Sequence, residues 1–191
     1  MKKMSSILPL NYNGKRYGLT YRFVNEDDAE FVYKLRSDPS LSRYIHDVTG
    51  GVQGQVDWIR KYKEREALGQ EYYFIFFKDE KPVGLFRLYS FHDTTYTGGS
   101  WVMVPGSPVE IVLAVPLIMR ELAFEELGMT FEDNYDATHV DNKKVIKFNQ
   151  MFGCKIYKHF IDVKGEYVAT SLTKEDFEER KPRLLSMLNV E

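Results

Sequence analysis

Cysteine is almost absent: Cys154 is the only one in 191 residues, which excludes an intrachain disulfide and any cysteine-built metal centre. Excess charge of either sign is absent too. A formal net charge of -2 leaves no global field to draw in nucleic acid or an anionic membrane. No run approaches the ~20 apolar residues needed to cross a bilayer. The start, Met1-Lys2-Lys3-Met4, has a basic flank, but the apolar stretch after it is short and broken by Pro9, unlike a signal peptide. His-Glu-x-x-His, Gly-x-Ser-x-Gly and the phosphate-cradling Gly-x-x-x-x-Gly-Lys are all missing, which removes the common zinc-protease, serine-hydrolase and nucleotide-hydrolase readings. No metal is expected, and the expected location is the cytoplasm.

What is present is aromatic and apolar. Aromatic residues make up 15% and hydrophobic residues 43%, enough at this length for one domain with a sizeable core. Residues 1–16 read as a lead-in and 17–191 as the domain. Residues 17–24 alternate as a strand, with Leu19, Tyr21 and Phe23 on one face. Asn25 caps a helix whose first turn is acidic and which ends at Asp38-Pro39. A loop with Arg43, Tyr44 and His46 leads to a second helix over 53–68. Strands follow at 72–77, 82–91 and 99–104. Residues 109–127 contain a third helix. Because Pro116 is tolerated only in a first turn, that helix is expected to start near 112–113 or to kink. A strand (135–140), a fourth helix (142–152), a hairpin (156–163 and 166–172) and a last helix (175–188) complete the chain. A helix between two strands predicts a parallel crossover at the centre of a mixed sheet.

Two segments carry a resemblance. Phe124-Glu125-Glu126-Leu127-Gly128 ends one helix, and Asn142-x-x-Val145-x-x-Phe148-x-x-x-Phe152-Gly153 forms the next. Together with the element order, these resemble the GNAT family of acyl-CoA-dependent N-acyltransferases over most of the chain. Arg36-Ser37-Asp38-Pro39 is similar to a turn in the branch that acetylates ribosomal-protein N-termini and amino sugars. The resemblance implies an α/β (α+β) domain, its central sheet splayed at a parallel strand pair and flanked by helices. It implies acetyl-CoA as cosubstrate and direct attack by a primary amine within a ternary complex. The expected acceptor is a small amino sugar or nucleotide sugar. The alternatives are a protein N-terminus, or an interaction protein that has lost acyl-CoA.

The resemblance also assigns residues. Backbone of Trp101, Val102, Met103 and Val104 would pair with the pantetheine arm, as a peptide adds to a sheet edge. Amides around Ile111, Val112 and Leu113 would hold the diphosphate. Asn142 would contact pantetheine, with Phe148 and Lys144 nearby; the competing role of Asn142 is a helix cap. Asn149 stands where many relatives carry a tyrosine that protonates the departing thiolate; an amide can only hydrogen-bond the sulfur. That leaves solvent, or Tyr157, as the acid. His92 is a base candidate beside Asp93, with Glu110 and His139 as others. The diphosphate loop departs from the family pattern: Ser107, Pro108 and Glu110 replace a basic or amide residue, an amide donor and a glycine. Three outcomes follow. Glu110 points outward and a rearranged loop still binds; or pantetheine and Lys143 or Lys144 carry the affinity; or binding is lost. The edge of the 156–172 hairpin is available for pairing across a homodimer.

Overall fold

The computed structural model describes residues 7–41, 44 and 48–188, without the side chains of Asp136 and Ala137. Arg43 and His46, named in the loop before the second helix, lie outside the described residues. Among the described residues, eight strands form one sheet in the order β1-β2-β3-β4-β5-β6-β8-β7. They are β1 (Asn13–Arg16), β2 (Leu19–Phe23), β3 (Tyr72–Lys78), β4 (Lys81–His92), β5 (Thr95–Met103), β6 (Phe131–His139), β7 (Lys155–Asp162) and β8 (Gly165–Thr173). Every neighbouring pair is antiparallel except β5–β6. The expected parallel crossover is therefore present at the centre of the sheet.

The α-helices among the described residues cover the two faces: α1 (Ala29–Ser37), α2 (Gly51–Ala67), α3 (Val109–Glu121), α4 (Lys143–Met151) and α5 (Lys174–Met187). One core lies beneath α1 and α2, where Val32, Ile59, Tyr62, Tyr73 and Ile75 pack with little or no exposure. The larger core lies on the other face, where α3 meets Phe74, Phe76, Tyr96, Phe124, Phe152 and Phe177. Tyr62, Tyr72 and Tyr73 are fully buried and serve packing, while Trp58 stacks on Tyr62 and is partly exposed.

β5 and β6 start at Thr95 and Phe131, ahead of the expected 99 and 135, so their parallel pairing falls before both expected strands; two further features depart from the sequence reading. The lead-in contributes β1, because Tyr17 and Gly18 both take positive φ (52° and 71°) and close a two-residue hairpin. The strand had no apolar signal, since its residues alternate only between exposed and half-buried. It is held by charge instead. Glu121 accepts from Arg16 Nη1 at 3.0 Å and Tyr17 Oη at 2.6 Å, and pairs with Lys181 Nζ of α5 at 2.9 Å.

The second of these two features concerns α3, which starts at Val109 rather than near 112–113 and keeps Pro116 in its buried interior. Pro116 offers no N–H to Val112 O, yet burial of Leu113 through Leu122 on the sheet holds the helix. A π turn at Leu122–Glu126 follows, closed by Leu127 N donating to Leu122 O. Gly153 ends α4 as expected: its φ is 100°, and a Cβ there would stand 3.1 Å from Asp176 O.

Candidate active site

β5 and β6 pair only at Thr95↔Phe131 and Tyr96↔Glu132. Two side-chain links extend the join, Thr97 Oγ1 donating to Asp133 O at 2.8 Å and Gly98 N donating to Asn134 Oδ1 at 3.2 Å. Beyond Gly98 the strands separate. On the β4 side, a bulge sets Ser100 and Trp101 opposite Phe86, with Ser100 at φ 49°. On the β8 side, the register slips between Asn134 and Thr138 and carries β6 away. The β6-facing edge of residues 99–103 is left without a strand partner, forming one arm of a V-shaped cleft.

α4 lines the other arm. Trp101 and Phe148 meet across it with ring centroids 4.9 Å apart, and Trp101 Nε1 is buried without a hydrogen-bond partner among the described residues. Val102 is buried toward the α1–α2 core, while Val104 N donates back to Val83 O. Asn142 occupies the N-cap position of α4, but its side chain makes no capping bond. Its amide is therefore available to a ligand. Replacing Asn142 with alanine should leave the melting temperature close to that of wild type, and the pantetheine contact that the resemblance implies predicts coenzyme binding weaker by about 1 kcal/mol, the net value of one hydrogen bond. A lower melting temperature with unchanged affinity would return Asn142 to a structural role. Lys143, Lys144 and Lys147 stand exposed on α4.

At the β5–α3 connection, Ile111 N and Val112 N both donate to Pro108 O, at 3.0 and 3.1 Å. The early start of α3 thus spends the amides expected to face a diphosphate. It moves the free first-turn amides to Val109 and Glu110. Gly106 precedes them at φ 80°, with open space where its Cβ would be. Glu110 is exposed and borders a pocket of about 280 Å³ with Tyr17, Lys78, Pro108, Ile111 and Leu188. Ser107 Oγ donates to Val104 O and is committed to the loop itself.

The remaining candidates sit apart from one another. His92 is the last residue of β4, beside the turn at the closed end of the V, its side chain 86% exposed, 3.5 Å from Asp93. Tyr157, on β7, donates to Asp133 Oδ1 at 2.7 Å; burial, then that carboxylate, push its pKa up to about 12. His139 accepts from Asp141 N at Nδ1, and its ring sits between Tyr44 and Tyr167.

Sequence reasoning missed the buried ion pair at the fork of the V. Arg120 of α3 and Glu132 of β6 are 2% and 1% exposed and meet through Nε–Oε2 (2.8 Å) and Nη2–Oε1 (2.9 Å). Tyr96 Oη and Asn134 Nδ2 also donate to Glu132, each at 2.8 Å. Burial alone would neutralise both partners, but each outweighs it for the other. Glu132 is held below the usual glutamate pKa and Arg120 above the usual arginine value. The available signal was Arg120-Glu121 inside the apolar run 111–124; its partner across the sheet had none.

Among the described residues, no group of three or more histidines, cysteines or acids is placed to hold a metal, and no helix is long and apolar enough to cross a membrane.

No family model matches the chain, and no curated protein matches it in sequence. Solved structures do. FdhC, a nucleotide-linked sugar GNAT in its apo form, is 32% identical over 94% of this chain and 99% of its own, with a TM-score of 0.80. Ribosomal-protein-S5-alanine acetyltransferase from Vibrio fischeri superposes with a TM-score of 0.74 at 12% identity, covering 87% of this chain and 99% of that one. Spermidine N-acetyltransferase from Vibrio cholerae, solved with CoA and spermine, gives 0.73 at 13% identity over 85% and 99%. The last two share the fold. The first adds identity along nearly the whole length of both chains, and with the splayed parallel pair it places this chain in the GNAT family of N-acetyltransferases.

Proposed function

We propose that this protein transfers an acetyl group from acetyl-CoA to the primary amine of a small sugar acceptor, an amino sugar or a nucleotide-linked amino sugar, by direct attack in a ternary complex. The observation that carries the reading is the unpaired β6-facing edge of β5, residues 99–103, which offers backbone donors and acceptors to an extended amide-bearing arm. The choice of acceptor is supported by the 32% identity to a nucleotide-linked sugar GNAT.

The residues present fit such a cosubstrate. Trp101, Val102, Met103 and Val104 supply backbone, and the unpartnered indole N–H of Trp101 supplies a further donor. Asn142 lends an uncommitted amide and Phe148 an apolar wall. The diphosphate falls to Gly106, Val109 and Glu110 rather than to Ile111, Val112 and Leu113, with Lys144 nearby for a ribose phosphate. The exposed carboxylate of Glu110 remains in solvent while its amide serves. An activated thioester supplies the acyl group; the chain's own task is to align the amine and exclude competing water.

Two protons must move. His92 is the base candidate and Tyr157 the acid candidate. The His92 ring opens to bulk water, and Asp133 holds the Tyr157 proton. In this reading solvent carries both protons. The reading includes a cytoplasmic location and leaves the β7 edge for a homodimer.

Calorimetric titration with acetyl-CoA tests it, with the dephospho form as control. Micromolar binding, followed by acetylation of amino-sugar amines, is the expected result. No binding at millimolar acetyl-CoA by folded protein would replace it with a noncatalytic role.

A further inference from the structure

The buried Arg120–Glu132 pair reaches one residue that packing alone does not require. Glu132 accepts four donors on its two oxygens, which fixes the carboxylate. The carboxylate and the Phe152 ring, 4.4 Å below the guanidinium, fix Arg120. From that fixed position Nη2 also donates to Asn149 Oδ1 on α4, at 3.3 Å.

A guanidinium has donors and no acceptor. The atom of the Asn149 amide that faces it must therefore be the oxygen. The NH2 group is turned the other way, and Nδ2 has no partner among the described residues. The place matters as much as the direction. Asn134, which shares Glu132 with Arg120, accepts Gly98 N, the last β5–β6 link before the strands part. Asn149 thus stands at the fork, where a chain laid along the β5 edge would present its reacting end.

We infer that Arg120, locked by Glu132, is a positioning residue that aims the Asn149 N–H at the sulfur of the acyl donor. This rests on the acyltransferase reading. The acceptor nitrogen bonds to the thioester carbonyl carbon and the carbon–sulfur bond breaks. The sulfur leaves with the bonding pair and is stabilised by the Asn149 N–H. The nitrogen's surplus proton passes to solvent, and the sulfur takes one from solvent. Asn149 donates a hydrogen bond but no proton, so its contribution does not titrate.

Affinity for coenzyme A against desulfo-coenzyme A, measured by calorimetry at alkaline pH where the thiol is ionised, isolates the contact without turnover. Wild type should prefer coenzyme A on the order of tenfold, as a charge-assisted hydrogen bond allows. Asn149→Leu should lose that preference while still binding desulfo-coenzyme A. Arg120→Lys keeps a cation for Glu132 but lacks the fork that spans to Asn149. It should lose most of the preference, with kcat falling roughly tenfold and KM for acetyl-CoA unchanged. Arg120→Met combined with Glu132→Gln removes both charges together, avoids a stranded ion, and should behave in the same way.

Preference retained in Asn149→Leu overturns the inference. So does preference retained in a folded Arg120 variant. Wild type that binds acetyl-CoA but does not distinguish the sulfur overturns this inference alone, whereas wild type that binds no acyl-CoA overturns the acyltransferase reading itself.

Discussion

Glu132→Ala should lower the unfolding free energy by about 3–5 kcal/mol, the cost of leaving one partner of a buried ion pair charged and alone. Arg120 is 2% exposed, and its Nη1 already has no partner among the described residues, so it cannot recover by turning to water. Tyr96 Oη and Asn134 Nδ2 lose an acceptor at the same time. Denaturant unfolding of variant and wild type measures the difference. A loss below about 1 kcal/mol would mean that Arg120 finds solvent.

The same pair sets an acid limit. The pKa of Glu132 is lower in the folded chain than in the unfolded one. Its stabilisation is therefore complete above the ordinary glutamate pKa of about 4.3. It declines as the pH falls from there through the depressed native value. Glu132→Gln should flatten that part of the acid-unfolding curve.

Val109→Pro should weaken acetyl-CoA binding by about 1.5–3 kcal/mol, roughly ten- to a hundredfold, while leaving the fold intact. Proline suits the first position of a helix, where the missing N–H has no intrahelical partner. Pro108 precedes it at φ -53°, ψ 146°, a conformation that a following proline favours. The substitution deletes one amide donor and little else, so melting temperature and affinity should separate cleanly. Unchanged affinity would move the diphosphate away from the α3 N-terminus.

Much of the fold was legible because its signals were local. The alternation of β2, the continuous aromatic-rich run of β3, the cap at Asn25, and glycines at the ends of two helices all mark elements within a few residues. The splay was legible only through resemblance, since it depends on where two distant strands stop pairing. The start of α3 was misjudged because first-turn preference was weighed against Pro116, and the sheet burial that outweighs it has no local trace. β1 was missed because Arg16 and Tyr17 are anchored by a carboxylate about a hundred positions away. Asn149 was readable as a candidate. Arg120, which turns it, was not, because an arginine in an apolar run shows its purpose only when Glu132 arrives from the next strand.

Glu121 gathers the beginning and the end of the described chain on one side chain, and that imposes a timetable on synthesis. Arg16 and Tyr17 leave the ribosome first and have nothing to hold until residue 121 has followed. Lys181 closes the set last. The first hairpin must therefore stay soluble through most of translation. Its strand, Asn13-Gly14-Lys15-Arg16, ends in two basic residues and is suited to that wait, because basic edge residues discourage pairing with a neighbouring nascent chain.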